Sequence, residues 1–250
     1  GNSWTNPLTQ FIGTTDNQDL IFKRNNIEGF RLSGTSGNLV TTADATINGL
    51  TIWQGSGSIS TNTAIGAAAL LNNTTGSNNT ANGYNSLYFN TTGNQNTANG
   101  NKSLYSNTTG YDNTANGLQS LYSNTSWWGN TANGISALFS NSTGSNNTAN
   151  GYNSLYSNTI GSSNVANGSN SLYSNISGDG NTANGVYSLY SNTTGYGNSG
   201  LGNWTLYSNT SWWGNTANGS QTLFHNDTGY ANTANGLSAL FFNTSWWGNT

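Results

Sequence analysis

Three tryptophan pairs, Trp127-Trp128, Trp212-Trp213 and Trp246-Trp247, each within Ser-Trp-Trp-Gly-Asn-Thr, are the side chains best suited to hold a ligand. Indoles at an exposed turn can stack on sugar rings, whose apolar C–H faces lie between their hydroxyls. The structural alternative is that each pair covers a groove between chains or stacks on tyrosine. At one recurring position ten asparagines open Asn-x-Ser/Thr sequons: Asn73, Asn90, Asn107, Asn124, Asn141, Asn175, Asn192, Asn209, Asn226 and Asn243. In a secreted eukaryotic or archaeal chain these are N-glycosylation acceptors. The plainer account is that asparagine tolerates a turn and threonine favours a strand. A recurring Thr-x-Asn element would array hydroxyls and amides at regular spacing, as an ice-binding solenoid does. His225 is the one histidine, and with Asp227 alone it makes neither a metal site nor a catalytic triad. Asp112 and Asp179 are scattered without a paired-carboxylate spacing, so no catalytic, cofactor or metal site is expected. The chain does not read as an enzyme.

The elements that position these residues are set by a strict period. Gly66, Gly83, Gly100, Gly117, Gly134, Gly151, Gly168, Gly185, Gly202, Gly219 and Gly236 are 17 residues apart, and each is followed four residues later by Leu and seven later by Asn. A fixed period of this length marks a stacked repeat architecture. Asn, Gly, Ser and Thr dominate the unit and are poor helix formers. The unit therefore fits one coil of a parallel β-solenoid, with two strands of about five residues joined by two tight turns. Alternation places Ala81 and Gly83 inward, and Thr80 and Asn82 outward. Leu87 and Leu104 are the core anchors, Gly83 and Gly100 close the turns, and Tyr88 and Tyr105 face the other way. Gly76, Gly93 and their counterparts, ten residues after each reference Gly, are expected at turns with positive φ. Eleven coils at about 4.8 Å each make a rod of roughly 50 Å.

Composition narrows the function. Only 4% of the residues are charged, there is no Cys, and the net charge is −3. Such a chain fills no conventional core, so burial must come from stacking each unit on its neighbours. Lys23, Arg24, Arg31 and Lys102 are the only bases, too few to neutralise a run of phosphates, so no nucleic-acid partner is expected. No run approaches the roughly 20 apolar residues of a membrane-crossing helix, and no membrane insertion is expected. Gly1 in place of Met, and a twelfth copy begun at Asn249-Thr250, read as signs of a trimmed or incomplete chain.

Residues 1–61 are non-repetitive, and the solenoid is expected over residues 62–250. Within the first region Phe11-Ile12, Leu20-Ile21-Phe22, Phe30-Arg31-Leu32 and Ile47 to Trp53 read as strands, with turns at Thr15-Asp16-Asn17 and Ser33-Gly34. The run Asn62-Thr63-Ala64-Ile65-Gly66-Ala67-Ala68-Ala69-Leu70, followed by Asn73-Thr74-Thr75-Gly76, resembles repeats of phage tail fibres and bacterial surface proteins. These in turn are similar to the coiled heads of trimeric autotransporter adhesins. Phe11 to Gln18 and Ile47 to Ile52 are similar to the lead-in of such fibres. The resemblance implies a homotrimer of parallel β-coils on a cell surface or virion tail, engaged in attachment; the tryptophan pairs add a cell-surface glycan as the expected partner. One departure stands out: Ile precedes Gly at Ile65 alone, Leu201 replaces it once, and nine copies carry Asn. A self-assembling extracellular filament is the rival expectation, and an ice-binding solenoid a third.

Overall fold

A computed structural model describes residues 20–24, 27–32, 39–41, 45–47 and 50–250. Packing divides the chain into Gly1–Trp53 and Gln54–Thr250. In the first unit, β1 (Leu20–Arg24), β2 (Ile27–Leu32) and β3 (Leu39–Thr41) form an antiparallel sheet in that order. The strand expected over Ile47 to Trp53 is instead a hairpin of β4 (Ala45–Ile47) and β5 (Leu50–Trp53), paired antiparallel. The two residues between them are Asn48-Gly49, a dipeptide that favours two-residue hairpin turns. Phe11-Ile12, the two proposed turns and the Phe11 to Gln18 lead-in lie outside the described residues.

The second unit is an all-β parallel solenoid, and no helix occurs among the described residues. Each coil contributes one strand of three residues, from β6 (Thr63–Ile65) and β7 (Thr80–Asn82) to β16 (Thr233–Asn235). Neighbouring coils pair in parallel and in perfect repeat register, so Thr131 faces Thr148, Ala132 faces Ala149 and Asn133 faces Asn150. Residues 54–61 already pack as a preceding coil, with Ser56 N donating to Leu70 O at 3.1 Å. They lack the repeat consensus, so the packing boundary falls before the sequence boundary.

The expected second strand is absent. After the strand, Gly83 (φ 137°) turns the chain, and two hydrogen-bonded turns follow, closed by Ser86 N to Gly83 O and Asn90 N to Leu87 O. Leu87 itself has φ 48°, and its ten counterparts from Leu70 to Leu240 are likewise left-handed. A non-glycine residue in that region costs about 1–2 kcal/mol. Stacking offsets it: Leu87 is fully buried, and its N–H donates to Ser103 O in the next coil at 3.0 Å. The left-handed turn was expected at Gly76 and Gly93, and this too is corrected. Their φ is not positive, and left-handed geometry falls two residues later, at Asn78 (φ 56°) and Gln95 (φ 58°). Glycine is required at position 93 because a Cβ there would stand 2.4 Å from Gly110 O and 2.8 Å from Asn107 Nδ2.

The interior is narrow. Ala81, Leu87 and Ser86 and their counterparts fill it, and Thr80 and Asn82 face outward as the alternation required. Two columns of asparagine complete it, and they carry most of the polar content that the composition could not place outside.

Candidate functional site

The sequon asparagines form one of these core columns. Asn90, Asn107, Asn124 and Asn141 are fully buried, and each Nδ2 donates to the Oδ1 of the asparagine one coil back, at 2.8 to 3.1 Å. Asn158, whose copy breaks the sequon, sits in the same column and makes the same bond. The second column is built from the asparagine four residues before each reference Gly, as in Asn147. The backbone N of Asn147 donates to Asn130 Oδ1 at 3.0 Å, and its Nδ2 reaches Gly161 O at 2.8 Å. Gly161 O also accepts from Asn158 Nδ2, so one carbonyl per coil ties the two columns together. A buried amide is tolerated only when its donors and acceptors are met, and stacking identical coils meets them.

This overturns the glycosylation expectation for the folded chain. Asn73, Asn90, Asn107, Asn124, Asn141, Asn175, Asn192, Asn209, Asn226 and Asn243 are all buried. The atom a glycan would modify is Nδ2, which is inside the rod and donating to its neighbours. A glycan there would have to replace the core.

The outward Thr-x-Asn face forms two aligned columns. From Asn99 through Asn116, Asn133, Asn150 and Asn167 to Asn184, each Nδ2 donates to the next Oδ1 at 2.6 to 2.8 Å. These amides satisfy one another before they meet solvent.

Aromatic side chains make the other organised surface. Tyr88, Tyr105, Tyr122, Phe139, Tyr156, Tyr173, Tyr190, Tyr207, Phe224 and Phe241 form one continuous half-buried stack. Successive centroids are 5.0 to 5.4 Å apart and near parallel. Burial, and then the neighbouring phenols Tyr122, Tyr88 and Tyr84, raise the Tyr105 phenol above its ordinary 10.0. Tyr173 is raised by the same causes, with Tyr190 first among its neighbours. A raised value means that the folded rod holds these protons more tightly than the unfolded chain. Their contribution is therefore complete below pH 10.0 and is lost as the pH climbs through the raised values. Denaturant midpoints followed by circular dichroism should fall as the pH rises above 10.0; midpoints that stay level across that range would contradict the assignment.

The tryptophan pairs do lie on one turn, and four of the six indoles stack on tyrosine. Trp128 stacks on Tyr111 at 5.9 Å, and Trp213 is held between Tyr196 and Tyr230 at 5.8 and 5.2 Å. Trp247 and Trp212 also stack on Tyr230. Trp127 and Trp246, 38% and 70% exposed, stack on no other aromatic ring among the described residues. The turn itself differs from its neighbours. In five copies three N–H groups converge on one carbonyl of the next coil, as Thr91, Thr92 and Gly93 do on Thr108 O. The N–H groups of Thr125, Ser126 and Trp127 make no such bonds.

His225 stacks on Phe242 at 5.1 Å and lies edge-on to Phe224 and Phe241, a packing role. Among the described residues no three His, Cys, Asp or Glu gather to hold a metal. Asp179 Oδ1 accepts from the Ser162 N–H, and Asp112 occupies a left-handed turn. One surface went unnoticed in the sequence: the position after each reference Gly. Six of the eleven copies hold a large apolar residue there, Tyr84, Leu118, Ile135, Tyr152, Val186 and Leu237, all 37% to 76% exposed, and the other five hold Ala, Asn or Ser. Because the coils are in register, these side chains line up along the rod. Counting residue types at each repeat position would have exposed this column.

The fold and its surfaces define a tandem-repeat β-solenoid. No family model, curated protein or solved structure matches the chain.

Proposed function

We propose that the chain is the rod-like shaft of an extracellular attachment fibre, on a cell surface or a virion tail, working as a homotrimer. The observation that carries the reading is the set of exposed apolar side chains Tyr84, Leu118, Ile135, Tyr152, Val186 and Leu237, aligned at one repeat position of a nearly uncharged rod. Aligned apolar side chains at six of the eleven coils, three of them consecutive at Leu118, Ile135 and Tyr152, fit a partner with the same coil spacing, and a further copy of this chain supplies one. Resemblance of the Asn62 to Gly76 run to tail-fibre and adhesin repeats points the same way. Length and stiffness come from the hydrogen-bonded stack, and three copies would present each tryptophan turn three times, so weak contacts gain through effective concentration.

Two variants separate assembly from attachment. Ile135→Glu with Tyr152→Glu places charge in the stripe and leaves the core untouched. The expected result is a fall in solution mass to one chain with unchanged circular dichroism; an unchanged mass would remove the stripe from the interface. Trp127→Ser with Trp246→Ser removes the indoles with open faces. Loss of binding on a glycan array, at unchanged mass, is expected. Binding that survives this change would sink the sugar contact while leaving the shaft intact.

A further inference from the structure

The seven tyrosines of the aromatic stack fall into two uninterrupted runs. Tyr88, Tyr105 and Tyr122 form the first, with centroids 5.4 and 5.0 Å apart. Tyr156, Tyr173, Tyr190 and Tyr207 form the second, at 5.3, 5.2 and 5.2 Å. Phe139 separates them, and Phe224 and Phe241 follow the second. Every ring of the stack is half-buried, so its edge meets solvent while its faces meet its neighbours. The other six tyrosines differ. Tyr111 has Trp128 in its column, Tyr196 and Tyr230 have tryptophans, and Tyr187 lies on Trp204 and meets Tyr190 and Tyr207 only edge to face, at 5.4 and 6.5 Å. Tyr84 has Ala67 and Asn101 at the same position one coil away, and Tyr152 has Ile135 and Ser169.

We infer that the tyrosine runs are sites of oxidative dityrosine coupling, which would join consecutive coils covalently along the outside of the rod. The oxidant class is a peroxidase-type one-electron oxidant with hydrogen peroxide. Each of two stacked phenols gives up one electron and its phenolic proton, producing two tyrosyl radicals. A C–C bond then forms between one Cε of each ring. The two Cε–H bonds break as the rings regain aromaticity and the hydrogens return to the phenolic oxygens. The net loss is two protons and two electrons, which reduce one hydrogen peroxide to two water molecules. The protein's contribution is placement. A radical on one ring has a second phenol permanently beside it, which replaces a bimolecular encounter by an intramolecular one. Parallel rings must tilt for their edges to meet, a movement open to side chains at the surface. Each link would close a 17-residue loop and so restrict the unfolded chain, hardening a rod that has no Cys to make disulfides.

The test treats the intact chain, at high dilution, with a peroxidase and hydrogen peroxide, followed by digestion and mass spectrometry. The expected products are five links, each lighter by two hydrogens: Tyr88–Tyr105, Tyr105–Tyr122, Tyr156–Tyr173, Tyr173–Tyr190 and Tyr190–Tyr207. None should join Tyr122 to Tyr156 across Phe139. Phe139→Tyr should create links on both sides of position 139, and Tyr173→Phe should leave only Tyr190–Tyr207 in the second run. Coupling that favours Tyr84, Tyr152 or Tyr187, or that is mainly between chains, or that is absent from the runs, would overturn the inference.

Discussion

Replacing Asn147 by alanine lowers the stability of the solenoid by about 2–4 kcal/mol, while the same change three residues on, at Asn150, costs about 1 kcal/mol or less. The difference lies in what water can repair. Asn147 is fully buried, and its Oδ1 accepts from both the backbone N–H and the Nδ2 of Asn164, at 3.0 and 3.2 Å. Alanine removes that acceptor. The Asn164 Nδ2 still reaches Gly178 O, but its backbone N–H is left inside the rod with no partner. A buried orphan of this kind costs about 1–3 kcal/mol, and the lost volume adds to it. Asn150 also sits in an amide ladder, accepting from Asn133 and donating to Asn167 at 2.8 and 2.7 Å. That ladder lies on the partly exposed face, where solvent replaces the lost bonds. Thermal and denaturant midpoints of the two variants should therefore separate clearly. Equal shifts would mean that the buried columns are not the source of the rod's stability.

Gly134→Ala is expected to cost at least about 3 kcal/mol, and Gly180→Ala about 1 kcal/mol or less. At Gly134 the φ is 139°, and a Cβ would stand 2.5 Å from Gly151 O and 2.7 Å from Gly151 C. Those atoms are backbone of the next coil and cannot swing aside, so two coils must part. Since each coil touches only its neighbours, the opening would divide the stack near its middle. Gly180 has φ 64°, yet a Cβ there meets nothing within 4 Å. The same repeat position holds Asn146 at φ 56° and Ser163 at φ 59°, so side chains already occupy it. Limited proteolysis distinguishes the two: a new cut near residues 134–151 is expected for the first variant, and the parent pattern for the second. Comparable loss in both would show that φ alone, and not coil contact, fixes the glycines.

Much of this architecture was legible in the sequence. The 17-residue period located every coil from Asn62 onward, and alternation correctly placed Ala81 inside and Thr80 and Asn82 outside, because a strand's side chains obey a local rule. The turn after the strand was not legible. Leucine is among the last residues to suggest left-handed backbone, and Leu87 adopts it only because Ser103 O and a closed interior await it in the stack. The buried asparagines were misread for a related reason. Asn90-Thr91-Thr92 has the local form of a glycan acceptor, while its role depends on Asn73 and Asn107 one coil to either side. A signal did exist: this asparagine is present in all eleven copies, whereas surface positions such as 84, 101 and 118 vary freely. A chain so poor in apolar residues must bury something polar, and an amide can pair with its own copy through donor and acceptor alike. Among the tryptophans, the sequence located the turn and could not show that Tyr196 and Tyr230 would cover both faces of Trp213.

The most direct test of the fibre reading is the mass of the intact chain by light scattering, with electron microscopy of the same sample. The account predicts short, stiff rods of about three times 26.2 kDa. A monodisperse single chain would contradict it, and long end-to-end filaments would replace the attachment shaft with a structural polymer.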